Sequence, residues 1–308
     1  MKDHIPEIKV PVVIIVFNRA DLAKLLLDRL SQFRLSKLYI IMDGPRDGNA
    51  KDLDERNKIL NMLDQIGFAN HIESQISDNN MGCRDRIVSG LNWVFDKEES
   101  AIILEDDCLP SLTFLPFCEL MLDKYKDDER VGVISGSNLI ESSGKDNTYH
   151  FSKYCNIWGW ASWRRVWKNY DVEMNLLNDS NLQNLRERFN YKYEYKYWCA
   201  VFSQTKSGGI QTWDYQLWLS VWLNGQISIV PSVNQIDNLG FGHIDATHTS
   251  GLHPAQHVTA GNITFPLTEP HSMLPDAVLD QKIFSLLYTF PPFLTRAKNK
   301  LLRVLFRQ

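Results

Sequence analysis

Three consecutive carboxylates, Glu105, Asp106 and Asp107, directly follow the apolar run 101–104. Such a run is typical of a buried strand, so the acidic residues fall where that strand leaves the core. Adjacent anions repel one another and persist best where a cation neutralises them. Divalent ions such as Mg²⁺ prefer oxygen ligands and often share them with the phosphates of a substrate. Taken alone, the segment fits a metal-diphosphate site and a solvated acidic turn equally well.

A second polar segment, 79–86, contains Gly82 and directly precedes a predicted helix. Asn and Gly tolerate left-handed turn geometry, and the N–H groups at the start of a helix attract phosphate. Arg84 and Arg86 would add positive charge. Taken alone, the segment is more typical of an ordinary loop with exposed arginines.

Eight of the nine tryptophans lie between residues 154 and 223. Aromatic faces stack on sugar rings and the indole N–H donates to hydroxyl groups, but tryptophan also builds ordinary cores. We interpret this region as core plus one wall that contacts a sugar. The candidates for that wall are Trp158, Trp160 and Trp213.

Strands and helices alternate through the first half of the chain. The patterns predict strands at 10–17, 37–42, 71–76, 101–104 and 131–135, and helices at 21–33, 52–66, 82–95 and 112–125. This alternation is typical of βαβ units with a mostly parallel sheet, in which ligands bind beyond the carboxyl ends of the strands. We therefore expect Asn18, Arg19, Asp43 and the three carboxylates at one edge of the sheet. The first strand is followed by no GxGxxG motif, and the chain has no GxxxxGK[ST] motif, which argues against a dinucleotide site and a P-loop.

Composition narrows the class of protein. The 308 residues can bury a large core, and a net charge of −4 gives no reason to expect nucleic-acid binding. The five cysteines form no CxxC pair, which favours a reduced compartment. We find no signal-peptide core and no apolar run long enough to cross a bilayer, so we predict a cytoplasmic protein.

Four segments in order, Phe17-Asn18-Arg19, Asp43-Gly44, Asn80-Met81-Gly82 and Glu105-Asp106-Asp107, resemble the GT-A fold glycosyltransferases of the bacterial family 2 type. The Glu-Asp-Asp form is also similar to relatives of N-acetylglucosaminyltransferase I. The resemblance covers about residues 10–250. It implies an α/β fold with a Rossmann-like, mostly parallel central sheet flanked by helices. It also implies a nucleotide-diphospho-sugar donor and a divalent metal, Mn²⁺ or Mg²⁺, held by a DxD-type motif.

The resemblance assigns roles to matching residues. Arg19 and Asp43 would lie near the base and ribose, Asp106 near the ribose or donor sugar, and Asp107 on the metal. The full set of expected donor-binding residues is Asn18, Arg19, Asp43, Asn80, Gly82, Arg86, Glu105 and Asp106. Glu105 opens the motif where other members often carry Asp. On an extended segment, Glu105 and Asp107 would share one side while Asp106 faces the other.

Asp214 and a late histidine complete the expected site. An acidic residue in the first turn of a helix complements the helix dipole, which is the structural explanation for Asp214. In inverting GT-A enzymes an Asp or Glu at such a position is the general base, and this is the role we expect. A histidine from a late loop completes the metal shell in many of these enzymes. Of His243 and His248 we choose His248, with Asp245 assisting, although a hydrogen-bonded surface histidine is the alternative.

The C-terminal segment has a separate pattern. After Pro291-Pro292, apolar and basic residues form two stripes at helical spacing through 294–307. A basic amphipathic helix suggests peripheral contact with an anionic membrane, or docking on the protein body or a partner subunit. We divide the chain into one catalytic domain, 1–280, and a basic tail, 281–308. The domain has a nucleotide-sugar half at about 1–140 and a Trp-rich acceptor half at about 141–280.

The expected activity is metal-dependent transfer of a sugar, with inversion, from a UDP-sugar to a glycan or lipid-linked acceptor in bacterial surface polysaccharide synthesis. Two alternatives stay open. A nucleotidyltransferase acting on sugar phosphates would use the same kind of sheet, but it usually carries a Gly-rich loop after the first strand, which this chain lacks. A non-catalytic carbohydrate-binding scaffold would not need the intact Asp106, Asp107 and Asp214.

Overall fold

A computed structural model describes residues 6–140, 147–242 and 254–288, and within them the predicted α/β class is confirmed. A large, mostly parallel sheet is flanked by helices. The strands are β1 (Glu7–Ile8), β2 (Val12–Val16), β3 (Arg34–Met42), β4 (Ala69–Ile76), β5 (Ser100–Glu105), β6 (Cys108–Pro110), β7 (Val131–Ser135), β8 (Tyr149–Ser152), β9 (Trp160–Trp163), β10 (Ile227–Pro231) and β11 (Ile236–Asn238). The helices are α1 (Ala20–Leu30), α2 (Ala50–Leu63), α3 (Cys83–Phe95), α4 (Phe114–Lys124), α5 (Arg164–Trp167), α6 (Asp179–Leu185), α7 (Lys192–Lys206), α8 (Asp214–Leu223) and α9 (Ala277–Leu287).

The central strand β2 positions the candidate site. All five of its residues are buried, and it pairs in parallel with β3 and β5. The register places Val16 beside Met42 of β3 and Ile15 beside Glu105 of β5. The three strands therefore end level with one another. The polar residues that follow each strand emerge at one edge, as the alternating pattern predicts.

Two strands of the sheet run against the others: β8, which is antiparallel to β10 at one edge, and β9, which lies inside the sheet. The order along the main path is β1-β3-β2-β5-β9-β7-β10-β8, with β4 paired to β3, and β9 is antiparallel to both β5 and β7. The sequence patterns missed β9 because its four residues, Trp-Ala-Ser-Trp, have no strand-length alternation. Through β9, the sheet continues without a break from the first half of the chain into the Trp-rich half.

Helix α3, which begins within the polar segment 79–86, packs directly on the sheet. The side chains of Ile87, Leu91 and Val94 are buried, on the inner side that the helical spacing indicates. A Cβ atom added to Gly90 would lie 2.5 Å from Cδ1 of Ile41. The close packing of α3 against β3 fixes the start of α3 at the same edge of the sheet as Asp43.

The C-terminal part of the described chain packs onto the body. Helix α9 crosses the boundary that we predicted between residues 280 and 281, and its Ile283 and Phe284 are buried. The first residues of the predicted tail therefore belong to the packed helix. The predicted amphipathic helix at 294–307 lies outside the described residues. Among the residues that are described, no helix is both long and apolar enough to cross a bilayer.

Candidate functional site

The acidic segment forms the centre of the site. Glu105 is the last residue of β5, and Asp106 and Asp107 form the turn between β5 and β6. Arg19, directly before α1, contacts both aspartates: its Nη1 donates to Oδ2 of Asp107 over 2.8 Å, and its Nη2 donates to Asp106. A single guanidinium thus spans the two carboxylates that we expected to face opposite sides.

Burial and the charges of neighbouring residues shift the pKa values of Glu105, Asp106 and Arg19. Removal from water, followed by the charges of Asp107 and Asp106, raises the pKa of Glu105 to about 8. Burial raises the pKa of Asp106 to about 6, although Arg19 opposes the shift. Burial would lower the pKa of Arg19, but the two aspartates outweigh it and hold that pKa above its ordinary value. Arg19 alone therefore does not stabilise the ionised form of all three carboxylates.

The oxygen donors of this cluster suit a hard divalent cation. Oδ2 of Asp106 is buried without a hydrogen-bond partner, and the carboxylate of Glu105 has no hydrogen bond within the described ranges. Oxygen ligands are those that Mg²⁺ and similar ions prefer. The described residues contain no ready-made group of three metal-ligating side chains. His243, Asp245 and His248, which we expected near the metal, lie outside the described residues.

Asp43 organises the second polar segment. Its Oδ1 accepts from the backbone N–H of Met81 and its Oδ2 from that of Gly82, over 2.9 and 3.0 Å. The side-chain amide of Asn80 donates to Asp43 and to the backbone carbonyl of Gly44. A Cβ atom on Gly44 would lie within 2.6 Å of the Asn79 backbone. The Asp43 carboxylate thus holds the backbone directly before α3, and Gly82, at φ 79°, caps the helix.

Asn18 is held by a pair of residues that the sequence patterns did not single out. Its side-chain amide donates to Asp52 over 2.8 Å, and Asp52 also accepts from the guanidinium of Arg46. The hydrogen bonds from Arg46 and Asn18 outweigh burial and lower the pKa of Asp52 to about 2. Asp52 opens α2, so this helix anchors the turn that follows β2.

Arg86 is buried against β4. It is 5% exposed, and its guanidinium donates to the backbone carbonyl and side chain of Gln75 on β4. Burial lowers its pKa, while Asp43 opposes the shift. These contacts hold α3 against the edge strand β4, and the donor-binding role of Arg86 stays a prediction.

A loop after β11 covers Asp107. The backbone N–H of Leu239 donates to the Asp107 carbonyl over 2.8 Å. A Cβ atom on Gly240 would lie 2.5 Å from Oδ2 of Asp107. Glycine at 240 therefore lets the loop approach the carboxylate itself.

Asp214 begins α8 and borders a cavity. Its Oδ1 accepts from the backbone N–H of Tyr215 over 2.9 Å and from the hydroxyl of Thr212. The charge of Asp214 adds to the rise in the pKa of Glu105, after burial and the charges of Asp107 and Asp106. The cavity has a volume of about 130 Å³. Its lining is largely aromatic and apolar, and includes Leu139, Asn156, Ile157, Trp158, Trp218 and Tyr288.

The three candidate tryptophans separate into two kinds. Trp158 is half-buried, lines the cavity and lies edge-on to Phe241, with ring centroids 5.4 Å apart. Trp160 and Trp213 are 1% and 3% exposed and stack on each other at 5.6 Å. Their burial argues against the predicted contact with a sugar and makes them core residues that support Asp214.

Cys83 is a site residue that sequence reasoning missed. It is the first residue of α3, and desolvation of the sulfur, followed by the charges of Glu105 and Asp214, raises the pKa of its thiol to about 12. Its position directly after Gly82 was the available signal. The charges of Glu105 and Asp214 therefore both act on the start of α3.

No family model matches the sequence, and no curated protein matches it significantly. Solved structures match at low identity. A mannosyltransferase from Pyrobaculum calidifontis, in complex with GDP-Man and Mn²⁺, is 12% identical over 70% of each chain, with a TM-score of 0.36. An inositol-1-phosphate CTP transferase from T. maritima is 13% identical over 72% of this chain and 85% of that one, with a TM-score of 0.34. An apo UDP-glucose pyrophosphorylase is 7% identical over 75% and 93%, with a TM-score of 0.37. These values are too low to transfer an activity or a residue role to this chain.

Proposed function

We propose that this chain is a divalent-metal-dependent transferase that acts on a nucleotide-diphospho-sugar, and specifically an inverting glycosyltransferase. One observation carries the proposal: the acidic segment 105–107 lies at the carboxyl end of β5, and Asp214, from a separate segment, borders the cavity and acts electrostatically on Glu105. Ligands bind at this edge in open α/β sheets, and an excess of carboxylates there suits a metal with a diphosphate.

The donor would lie across the ends of β2, β3 and β5. Asn18, Arg19 and Asp43 are held by neighbouring side chains and loops at these ends, where the base and ribose would bind. Asp107 and His248 would hold the cation, with Glu105 and Asp106 contributing negative charge. A bound Mn²⁺ or Mg²⁺ would stabilise the charge of the leaving diphosphate as a Lewis acid.

Asp214 is the proposed general base. Its carboxylate would accept the proton of the acceptor hydroxyl while the new glycosidic bond forms and the bond from the sugar carbon to the diphosphate breaks. No enzyme nucleophile takes part, so the reaction is a single in-line displacement. The acceptor attacks from the face opposite the diphosphate, and the configuration at the sugar carbon is therefore inverted. The aromatic and apolar lining supports an acceptor that offers a sugar face to Trp158 and an apolar portion beside it. A lipid-linked glycan has both.

Calorimetric titration of UDP, GDP, CDP and ADP, with and without Mn²⁺, tests the donor site. We expect one nucleotide to bind only with Mn²⁺, and Asp107→Asn to abolish that binding. The matched control, Asp96→Asn, removes an exposed carboxylate at the far end of α3 and should leave it unchanged. Failure of all four nucleotides to bind the folded protein would refute the proposal. Turnover then separates the two chemistries. Glycosyl transfer from a nucleotide-diphospho-sugar to an acceptor releases a nucleoside diphosphate, whereas nucleotidyl transfer from a nucleoside triphosphate to a sugar phosphate releases pyrophosphate.

A further inference from the structure

Helices α7 and α9 lie side by side on the Trp-rich half. Tyr193 of α7 contacts Phe284 of α9 with ring centroids 5.4 Å apart, and the side chain of Gln281 donates to the Tyr193 hydroxyl over 2.7 Å. One turn further along, Tyr197 contacts Phe284 and Tyr288. These contacts determine which faces of α7 and α9 meet. From the helical spacing, the exposed residues of both helices then lie on one side, facing away from the protein body.

This outer side, which we call the α7–α9 surface, is rich in exposed apolar and aromatic groups. Tyr191 and Tyr193 are 46% and 47% exposed and lie 5.5 Å apart between ring centroids. Val278 and Leu286 on α9 are also exposed. Tyrosine rings combine an apolar body with a polar tip and are enriched where protein meets the interface of a membrane.

The charges on the α7–α9 surface have one sign. Lys192, Lys196 and Lys282 are exposed, and none has an ion pair or hydrogen bond within the part of the chain that the structure describes. Each helix has a single acidic residue after its cap, and both are buried. Glu194 pairs with Lys153 over 2.8 Å, and Asp280 accepts from Ser152. The fold thus turns the acids inward and leaves the lysines outward.

We propose that the α7–α9 surface docks on the anionic face of a lipid bilayer. Exposed tyrosines and aliphatic side chains would enter the interface, and the lysines would pair with anionic headgroups. The chain continues from α9 into residues 289–308, which contain five Lys or Arg and no Asp or Glu, so the charge of this end of the molecule has the same sign. Leu287 and Tyr288, at the end of α9, line the cavity beside Asp214. A molecule seated this way holds the cavity close to the lipid.

Co-sedimentation of the full chain with phosphatidylcholine vesicles, with and without phosphatidylglycerol, tests the proposal. We expect binding only to the vesicles with phosphatidylglycerol, weakened by added salt. The triple variant Lys192→Gln/Lys196→Gln/Lys282→Gln should bind at least tenfold more weakly, because a lysine near an anionic surface contributes about fivefold. Tyr191→Ser/Leu286→Ser should weaken binding in the same assay. The control Lys24→Gln/Lys58→Gln/Lys168→Gln removes the same charge from exposed positions elsewhere and should bind as the wild type does.

Three results would overturn the proposal. Failure of anionic vesicles to retain the wild type would overturn it outright. Equal binding by the triple variant and its control would assign membrane binding to another surface. Alternatively, light scattering could show that the triple variant dissociates a dimer while vesicle binding is unchanged, which would make the surface a subunit interface. The assay measures partition and needs neither donor nor acceptor, so it can fail or succeed independently of the proposed transferase activity.

Discussion

Nη1 of Arg19 lies 2.8 Å from Oδ2 of Asp107, an ion pair that joins the segment after β2 to the turn after β5. In the absence of a metal, this guanidinium is the cation that compensates the acidic turn. Arg19 and a divalent ion would therefore stabilise the same carboxylates. The stability of the folded protein should depend more strongly on either cation when the other is removed.

Removal of Arg19 should make folding dependent on the metal. We expect Arg19→Gln to lower the free energy of unfolding by about 3 kcal/mol, because it leaves Asp106 and Asp107 without their counterion. Mn²⁺ should restore more stability to this variant than it adds to the wild type. Urea denaturation with and without Mn²⁺ measures both effects, with Arg84→Gln at the exposed start of α3 as the control. Equal stabilisation of the two proteins by Mn²⁺ would contradict the prediction.

A methyl group at residue 240 should disturb the metal site without unfolding the protein. The Cβ of Gly240→Ala would lie 2.5 Å from Oδ2 of Asp107, so the carboxylate must move. We expect metal-dependent nucleotide binding to weaken by about tenfold, the effect that a small displacement of one ligand produces in many metal sites. Gly67→Ala, where the added atom meets nothing within 4 Å, is the matched control. Unchanged affinity would place the metal away from this oxygen.

The stability contributed by Asp52 should disappear in acid. The pKa of Asp52 is about 2 in the folded protein and lies below its value of 3.8 in an unfolded chain, so the ionised form favours folding. This contribution is present above pH 4 and is lost as the pH falls toward 2. At pH 7 we expect Asp52→Asn to lower the free energy of unfolding by about 2 kcal/mol, with a smaller difference near pH 2. Denaturation curves between pH 7 and pH 2 measure the effect, with the exposed Asp64→Asn as the control. A constant difference in the free energy of unfolding between the wild type and Asp52→Asn would disprove the prediction.

Asp214→Asn should separate binding from chemistry. An amide cannot accept the acceptor proton, so we expect the rate of sugar transfer to fall by about a thousandfold. Metal-dependent donor binding should stay within about twofold, because that site is built from the ends of β2, β3 and β5. Steady-state turnover and calorimetry on the same preparation measure the two quantities. Transfer at the wild-type rate would remove Asp214 from the role of base.

The two kinds of tryptophan should give opposite results. Trp160→Ala should destabilise the fold by about 4 kcal/mol, because it empties a fully buried site in the stack with Trp213. Trp158→Ala should lower stability much less and raise the KM for the acceptor by about tenfold, which is the stacking contribution expected from one ring. A large loss of stability and an unchanged KM for Trp158→Ala would assign Trp158 to the core.

The sequence patterns predicted the parallel part of the sheet closely. The strand predicted at 131–135 is β7 itself, and the other four predicted strands of the first half overlap β2, β3, β4 and β5. Strands β2, β5 and β7 are buried along most of their length, so their sequences are nearly continuous apolar runs, whereas β4 is largely exposed and carries polar residues. The convergence of Arg19, Asp43 and Asp106 follows from strand ends alone, because parallel strands in register end at one edge.

The patterns were weaker where tertiary contacts decide the outcome. Residue type placed Arg86 and Trp160 in binding roles, but the structure buries both, because an arginine can satisfy backbone carbonyls and a tryptophan can fill a core. The support of Asn18 by Asp52 depends on how α2 packs beside β2, which no local pattern contains. The short strands β6, β8, β9 and β11 depend on partners distant in sequence and carry little local signal.

The antiparallel strand β9 has a mechanical consequence. It hydrogen-bonds to β5, which ends at Glu105, and its Trp160 stacks on Trp213, the neighbour of Asp214. Its other edge is bonded to β7. A hinge rotation of the Trp-rich half against the first half would have to break this ladder. The spacing between the acidic turn and the proposed base is therefore set when the chain folds, and the radius of gyration should be the same with and without nucleotide.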